Sequence, residues 1–376
     1  MSVLQKLRQR LSGGPTVAGS DRSGSPTPPA TSTTEQPATS PFTESERLVA
    51  EGNFDEAIAA LNKLNERSQS LQVERRIIDV RVKGAQALPK SELPEQWPPS
   101  YDDPFPEVVG RPPEITRAEL NLQNLGGGIV NHGCLLIRGL FNAEQTSRAF
   151  DAVEQACNAQ LAFHDEPKGS RWFHPLHIEG NIDSNESLRK MIASHGSVWM
   201  ADSPAAMGIM IDALNDANLV ELVGQYLGER PCISLQKSTL RRSDPEFRVV
   251  SWHQDGAFLD PGIRTVNVWV ALSHCGGEDS KAPALELIPR RVNEIVEPDG
   301  GELAAHSLSG WAAHSLLPEG MEPSFPVFEP GDALLFDERF VHRTHLSETM
   351  TEKRYALENW MFAPTSSKGG YDMLLA

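Results

Sequence analysis

Two histidines and an aspartate, drawn from two distant stretches, are the residues of this chain best suited to hold a metal ion. His253 and Asp255 stand in S-W-H-Q-D-G, two residues apart at the end of an expected strand, where the pleat turns both side chains to one face. His342 follows in F-V-H-R-T-H, and Arg354 comes twelve residues later (354 − 342 = 12). Two imidazoles and one carboxylate on one face of an octahedron leave three positions open, the arrangement associated with non-haem Fe(II) oxygenases. A chelating 2-oxo acid fills two of those positions and dioxygen the third. Arginine suits the far carboxylate of such an acid, because its planar fork meets both oxygens and keeps its charge. His-x-Asp alone is a short pattern, and the third ligand and the arginine that follow in order are what single this one out.

The elements that must position these residues are short strands. From residue 231 onward, CISLQKSTL, RVVSWHQD, RTVNVWVAL, ALELIPR, DALLFD, RFVHRTHL and RYALENWMFA are separated by Gly, Pro and Asp turns, the signature of an antiparallel barrel or sandwich. Helices precede them, over residues 116–131, 143–159 and 203–227, with an apolar strand at 133–141. The class is α+β. No alternating βαβ unit, G-x-G-x-x-G or P-loop occurs, so nucleotide-cofactor folds are not supported. Strand alternation puts His342 and Thr344 on one face and Arg343 and His345 on the other, which favours His342 over His345 as ligand. Ala356, Glu358 and Trp360 point the same way as Arg354, and Thr265, Asn267, Trp269 and Ala271 form the inward set of their strand. Gln236 and Ser238 share one face of CISLQKSTL, and Lys237 and Thr239 the other.

The 376 residues allow one large domain plus extensions. Lys and Arg number 34 against 51 Asp and Glu, a net charge of −17, which repels phosphate backbones and argues against nucleic acid as a partner. No run of about 18 apolar residues is present, so no membrane span is expected. Cys134, Cys157, Cys232 and Cys275 lie far apart with no C-x-x-C, which fits a reducing, cytoplasmic compartment and neither a disulfide framework nor a zinc knuckle. Residues 1–43 read as a disordered tail, since Gly, Pro, Ser and Thr dominate from residue 13 to 41; its basic MSVLQKLRQRL start has no apolar h-region and is not a secretory signal. Residues 44–88 read as a helical hairpin, in which LVAEGNFDEAIAAL resembles half a tetratricopeptide repeat. It is either a docking or self-association element for a protein partner or a plain packing appendage. Eight prolines between residues 89 and 113 mark a linker, and the chemistry-bearing domain follows over 114–376.

The motifs W-H-Q-D (252–255), N-V-W-V-A-L (267–272), L-E-L-I-P (285–289), G-D-A-L-L-F (331–336), V-H-R-T-H and R-Y-A-L resemble the phytanoyl-CoA dioxygenase-like (PhyH) branch of the Fe(II)/2-oxoglutarate-dependent oxygenases, over roughly residues 116–364. That resemblance implies a double-stranded β-helix, the jelly-roll or cupin-like barrel, with flanking helices. It implies that His253, Asp255 and His342 bind Fe(II), and that Arg354 holds the distal carboxylate of 2-oxoglutarate. Thr344 matches the small hydroxyl beside that carboxylate, Trp269 an aromatic residue of the co-substrate pocket, and Gln236 a polar residue of the earlier strand that touches co-substrate or substrate. The implied activity is hydroxylation of an aliphatic C–H of a small molecule, using dioxygen and releasing succinate and CO2.

Two features bear on the outcome. The family's glycine-rich turn and G-S-H ending are replaced by K-A-P-A-L-E-L-I-P-R-R, which puts Arg290 and Arg291 at an expected substrate-side wall. Asp255 is present, whereas a halogenating member lacks the carboxylate so that chloride takes its place. Desaturation, ring closure or epimerisation with the same cofactors stays open. So do a hairpin adaptor with a vestigial barrel and a cupin-like zinc or sugar-binding barrel, which has no need of Arg354. The acidic charge gives no reason to expect a highly anionic substrate such as a coenzyme A thioester. His164, His174, His177 and His195 read as a lid, a second metal site or ordinary surface histidines; Arg241 and Arg242 read as solvated; His306 and His314 carry no signal.

Overall fold

The computed structural model describes residues 40–177, 182–246, 251–299, 306–367 and 372–376. The tail expected over 1–43 lies, up to residue 39, outside the described residues. Three helices open the rest: α1 (Thr43–Ala50), α2 (Phe54–Ser68) and α3 (Leu71–Ala87). Then come β1 (Glu114–Thr116), α4 (Leu122–Gly127), β2 (Cys134–Arg138), α5 (Ala143–Asp165), α6 (Ile182–Ser194), β3 (Ser197–Trp199), α7 (Pro204–Asp216), α8 (Leu219–Leu227), β4 (Cys232–Ser234), β5 (Thr239–Ser243), β6 (Thr265–Ala271), β7 (Ala284–Leu287), α9 (Gly310–His314), β8 (Ala333–Phe336), β9 (His342–His345), β10 (Arg354–Phe362) and β11 (Met373–Leu375).

Nine strands form one sheet in the order β1-β2-β8-β6-β10-β4-β11, with β5 beside β10 and β3 beside β5; β7 and β9 make a smaller sheet. The two are the walls of a jelly roll, and the fold is α+β. Every residue of β6 is buried because its two faces have different neighbours. Val266, Val268 and Val270 pack outward into the core shared with α5, α7 and α8, while Trp269 and Ala271 face inward. On β10, Leu357 and Met361 go to the same outer core and Ala356 to the inner side. A one-residue slip would exchange these faces, so the antiparallel register of Glu358 opposite Trp269 and Trp360 opposite Asn267 fixes what the cavity contains.

The structure departs from the sequence reading in four places. The helix expected over 203–227 is two, broken at Asn218, which adopts φ 56, a left-handed conformation that Asn tolerates. The helix expected over 116–131 shortens to α4, extended by a turn of π-helix up to Gly133 at φ 89. CISLQKSTL is interrupted by a turn at residues 235–237, giving β4 and β5. The segment expected to be a separate two-helix hairpin holds three helices, and these share a core with the barrel: Leu61, Val73 and Ile77 cluster with Cys232, Trp360, Phe362 and Leu375. The approach is so close that a Cβ on Gly84 would sit 2.3 Å from Leu375 Cδ1. The proline-rich stretch has no regular structure but is strapped down, Trp97 meeting Tyr226 edge-on at 5.4 Å and donating its indole N–H to Glu338 at 3.2 Å.

Helices and barrel should therefore unfold together. Leu61→Ala removes a side chain that is 1 % exposed and is expected to cost about 2–5 kcal/mol, lowering a single thermal transition seen alike by helical and by tryptophan signals. Leu93→Ala, at a side chain 64 % exposed, should change stability by less than about 0.5 kcal/mol. A separate early helical transition would show the helices to be an appendage.

Candidate metal centre and co-substrate pocket

His253 lies just after residues 247–250, which fall outside the described residues, and β9 begins at His342. The two residues exchange both backbone hydrogen bonds, His253 N to His342 O and His342 N to His253 O, each at 3.1 Å. This antiparallel bridge puts both imidazoles on the same side, ring centroids 4.5 Å apart. Asp255 Oδ1 lies 3.6 Å from His253 Nε2 and 3.9 Å from His342 Nε2. Among the described residues, these three form the one cluster of His, Cys, Asp or Glu whose ligand atoms come together closely enough to share an ion.

The tautomers follow from the hydrogen bonds. His253 Nδ1 is 2.9 Å from Ser251 O, and His342 Nδ1 is 3.2 Å from Phe340 O. A carbonyl only accepts, so each Nδ1 carries the proton and each Nε2 turns a lone pair toward Asp255. Burial pushes both histidines down to about 4 and Asp255 up to about 7. Asp255 Oδ2 accepts from Asn267 Nδ2 at 3.2 Å, which leaves Oδ1 to the histidines. Between the ligands, Gln254 donates to the carbonyls of Glu294 and Arg339 and accepts from Val296 N, pinning the loop outward. Gly256 follows because a Cβ there would meet Glu338 O at 2.9 Å.

The ligands open on a cavity of about 520 Å³ between the two sheets, lined also by Trp269, Thr344, Arg354 and Glu358. Arg354 is 1 % exposed. Its Nη2 donates to Ser243 Oγ at 3.1 Å, while Nε and Nη1 are buried with no partner. The guanidinium carbon lies 5.5 Å from the Trp269 ring centroid, and burial pulls this arginine down to about 10. A buried guanidinium with two unmatched nitrogens is costly unless an anion meets it. The donor set fits a divalent metal with two imidazoles and a carboxylate, and the orphaned guanidinium fits the carboxylate of a chelating acid.

Thr344 lies in the cavity beside His342, while Arg343 and His345 turn the other way onto Glu286. Gln236 is not in the cavity. It donates to Asp372 Oδ2 at 2.7 Å and accepts from Asp372 N, on the face opposite the one that Lys237, Thr239, Arg241 and Ser243 present to the cavity. Arg241, read as solvated, also belongs to the site, its Nε donating to Glu358 Oε2 at 2.6 Å. Burial alone would raise Glu358, but the Arg241 guanidinium holds it at about 2. Arg242 points away, to Asn158 and Glu154. Arg291 is tied to Asp337 and Arg290 to Leu316 O, so neither forms the expected substrate-side wall. Of the four clustered histidines only His195 reaches the cavity, joined there by His306; His174 bonds to Arg75 instead. Lys237 and Arg241 carried no motif, and strand alternation was the only signal for them; Asn267 opens the N-V-W-V-A-L motif, which gave it no role.

Metal affinity should follow the protonation of Asp255, because a ligand must shed its proton to bind. Ferrous ion titrated calorimetrically without oxygen is expected to bind with nearly constant affinity above pH 7, and about tenfold more weakly for each unit below it. Asp255→Ala should abolish this binding at every pH. Unchanged binding in the variant would exclude these three residues as the ligand set.

The sequence model of the family described as Phytanoyl-CoA dioxygenase (PhyH) matches residues 129–354. No curated protein sequence matches the chain. Among solved structures, the chain is similar to AviO1 from Streptomyces viridochromogenes Tue57, at 17% identity, 63% of this chain and 92% of that one, with TM-score 0.38. It is similar to SnoN, the non-heme alpha-ketoglutarate-dependent epimerase from nogalamycin biosynthesis, at 15% identity, 64% and 82% coverage and TM-score 0.40. It is similar to EctD from S. alaskensis with bound Fe, at 18% identity, 62% and 73% coverage and TM-score 0.43. The family match spans more than half of the chain and both halves of the metal cluster, and the chain belongs to the phytanoyl-CoA dioxygenase family.

Proposed function

We propose that this chain is an Fe(II)- and 2-oxoglutarate-dependent dioxygenase that hydroxylates an aliphatic C–H of a small-molecule substrate, with release of succinate and CO2. The observation that carries this reading is the placement of the Arg354 guanidinium, buried and with two unmatched nitrogens, in one cavity with the His253–Asp255–His342 cluster. Bound iron and 2-oxoglutarate would supply the activation of dioxygen and the two electrons that its reduction needs beyond those taken from substrate.

The chain's own residues do the rest. His253 and His342 offer Nε2 and Asp255 offers Oδ1 from one side, leaving the opposite side free for co-substrate and gas. Arg354 takes the distal carboxylate, with the Thr344 hydroxyl in the same cavity and the Trp269 ring against the guanidinium. Phe336 packs on His342 at 4.7 Å between centroids, which holds the ring in place and keeps water from that flank. The intact carboxylate at Asp255 supports hydroxylation over halogenation. The apolar faces of α2 and α3 are spent on the barrel, which supports a packing role for these helices over a docking one. Four buried, unpaired cysteines support a reducing, cytoplasmic setting, the net charge of −17 speaks against nucleic acid, and no helix among the described residues is long and apolar enough to cross a membrane.

Succinate formation from 2-oxoglutarate across a metabolite panel tests this, with His253→Ala as the blank and product analysis to separate hydroxylation from desaturation, cyclisation or epimerisation. Arg354→Gln removes one partner of a buried charge contact and is expected to raise the KM for 2-oxoglutarate about a hundredfold. Zinc in the purified protein, with no affinity for 2-oxoglutarate, would defeat the proposal.

A further inference from the structure

Besides Arg354 and the Arg241–Glu358 pair, the cavity holds a cation that the proposed chemistry does not use. Along the wall that precedes and forms β5, Lys237, Thr239, Arg241 and Ser243 reach the cavity in turn. β5 pairs with β10 so that Ser243 stands opposite Arg354, Arg241 opposite Ala356 and Thr239 opposite Glu358. Trp360 N then donates to Ser238 Oγ at 3.1 Å. The order along the wall is Arg354 at one end, the Arg241–Glu358 pair in the middle, and Lys237 beside Trp360 at the other end. Asp255 joins the middle, because Asn267 Nδ2 bridges its Oδ2 to Glu358 Oε1 at 3.2 and 3.4 Å. A chelating acid that reaches Arg354 therefore runs from the middle toward the first end. Arg354 and Trp360 are six residues apart on an extended strand, roughly 20 Å, much more than a five-carbon diacid spans.

Charge accounting leaves Lys237 without an ion pair of its own. Arg241 is matched by Glu358, and Arg354 by the co-substrate. The Lys237 ammonium lies 4.6 Å from the Phe258 ring centroid and 5.9 Å from that of Trp360, and it makes no hydrogen bond or ion pair with a described residue. Asp255 and Glu358 attract it through space, but each already has nearer partners, and an ammonium half-withdrawn from water with no ion pair of its own is retained at a cost that an anionic ligand lowers.

We propose that Lys237 binds a carboxylate of the substrate at the end of the cavity remote from Arg354, with the apolar body of that substrate over Phe258 and Leu285 on its way to the metal. The proposal rests on the oxygenase reading above. One ammonium, in a chain of net charge −17, selects a singly charged carboxylate over a polyanion.

The test is binding to full-length protein loaded with Fe(II) and 2-oxoglutarate in the absence of oxygen, read by calorimetry, with hexanoate and hexanamide as probes. Hexanoate is expected to bind the wild type about tenfold to a hundredfold more tightly than the amide. Lys237→Gln should close that gap, and Lys237→Arg should reopen part of it. Equal binding of acid and amide, or no binding of either to the wild type, would overturn the proposal. So would loss of 2-oxoglutarate uptake in Lys237→Gln, which would assign the ammonium to the co-substrate. The 2-oxoglutarate titration comes before hexanoate is added, and its failure in the wild type would sink the oxygenase reading on its own.

Discussion

His253 and His342 are 89 residues apart in sequence (342 − 253 = 89) and exchange two backbone hydrogen bonds of 3.1 Å. Backbone pairing, and not side-chain attraction, brings the two imidazoles together. Each ring is then oriented by a carbonyl two residues earlier in its own chain segment, so the lone pairs converge whatever the protonation of their neighbours. Asp255 arrives with His253 at no further cost, since the loop that carries it is pinned by Gln254 and by the close approach of Gly256 to Glu338. The metal cluster is thus a consequence of strand register, and register is enforced by burial of both faces of the sheet.

Placing this much polarity inside a barrel is expensive, and the structure shows how it is tolerated. Glu358 and Arg241 neutralise each other, Asn267 shares its amide between Asp255 and Glu358, and Thr239 adds a hydroxyl to Glu358 at 3.1 Å. Among the cations of this wall, what remains unmatched lies at its two ends: the Nε and Nη1 nitrogens of Arg354 and the ammonium of Lys237. Cationic groups left without partners beside a cavity are where small molecules are expected to complete the bonding. The upward shift of Asp255 has the same meaning, for a carboxylate that burial pushes up to about 7 gains most from a cation.

The helical layer is part of this argument and not an accessory to it. Trp360 lies on the inward-pointing set of β10, yet it also belongs to the core that α2 and α3 build against β4 and β11. Phe258, one turn beyond Asp255, packs on Trp360 at 6.0 Å and on His253 at 6.0 Å. The metal loop therefore leans on the same aromatic residues that dock the first three helices.

The residues alone determined the ligand types, their order, the arginine behind them and the α+β class with an antiparallel barrel, because alternation and ligand spacing are local properties that survive without a fold. Alternation also chose His342 over His345 and put Thr344 on the ligand side. It stated two faces for CISLQKSTL, but the segment turns at 235–237, and that turn, with β5 then paired to β10, puts Lys237 and not Gln236 in the cavity. The same holds for Arg241, whose role rests on meeting Glu358 across the sheet, and for Arg290 and Arg291, which distant groups draw away from the cavity. The helices at 43–87 read as a separate hairpin because their apolar stripes are visible locally, while the surface that covers them comes from strands about 150 to 330 residues further on (232 − 78 = 154; 375 − 43 = 332). Composition and periodicity state that a face is apolar; only the packed chain states what it meets.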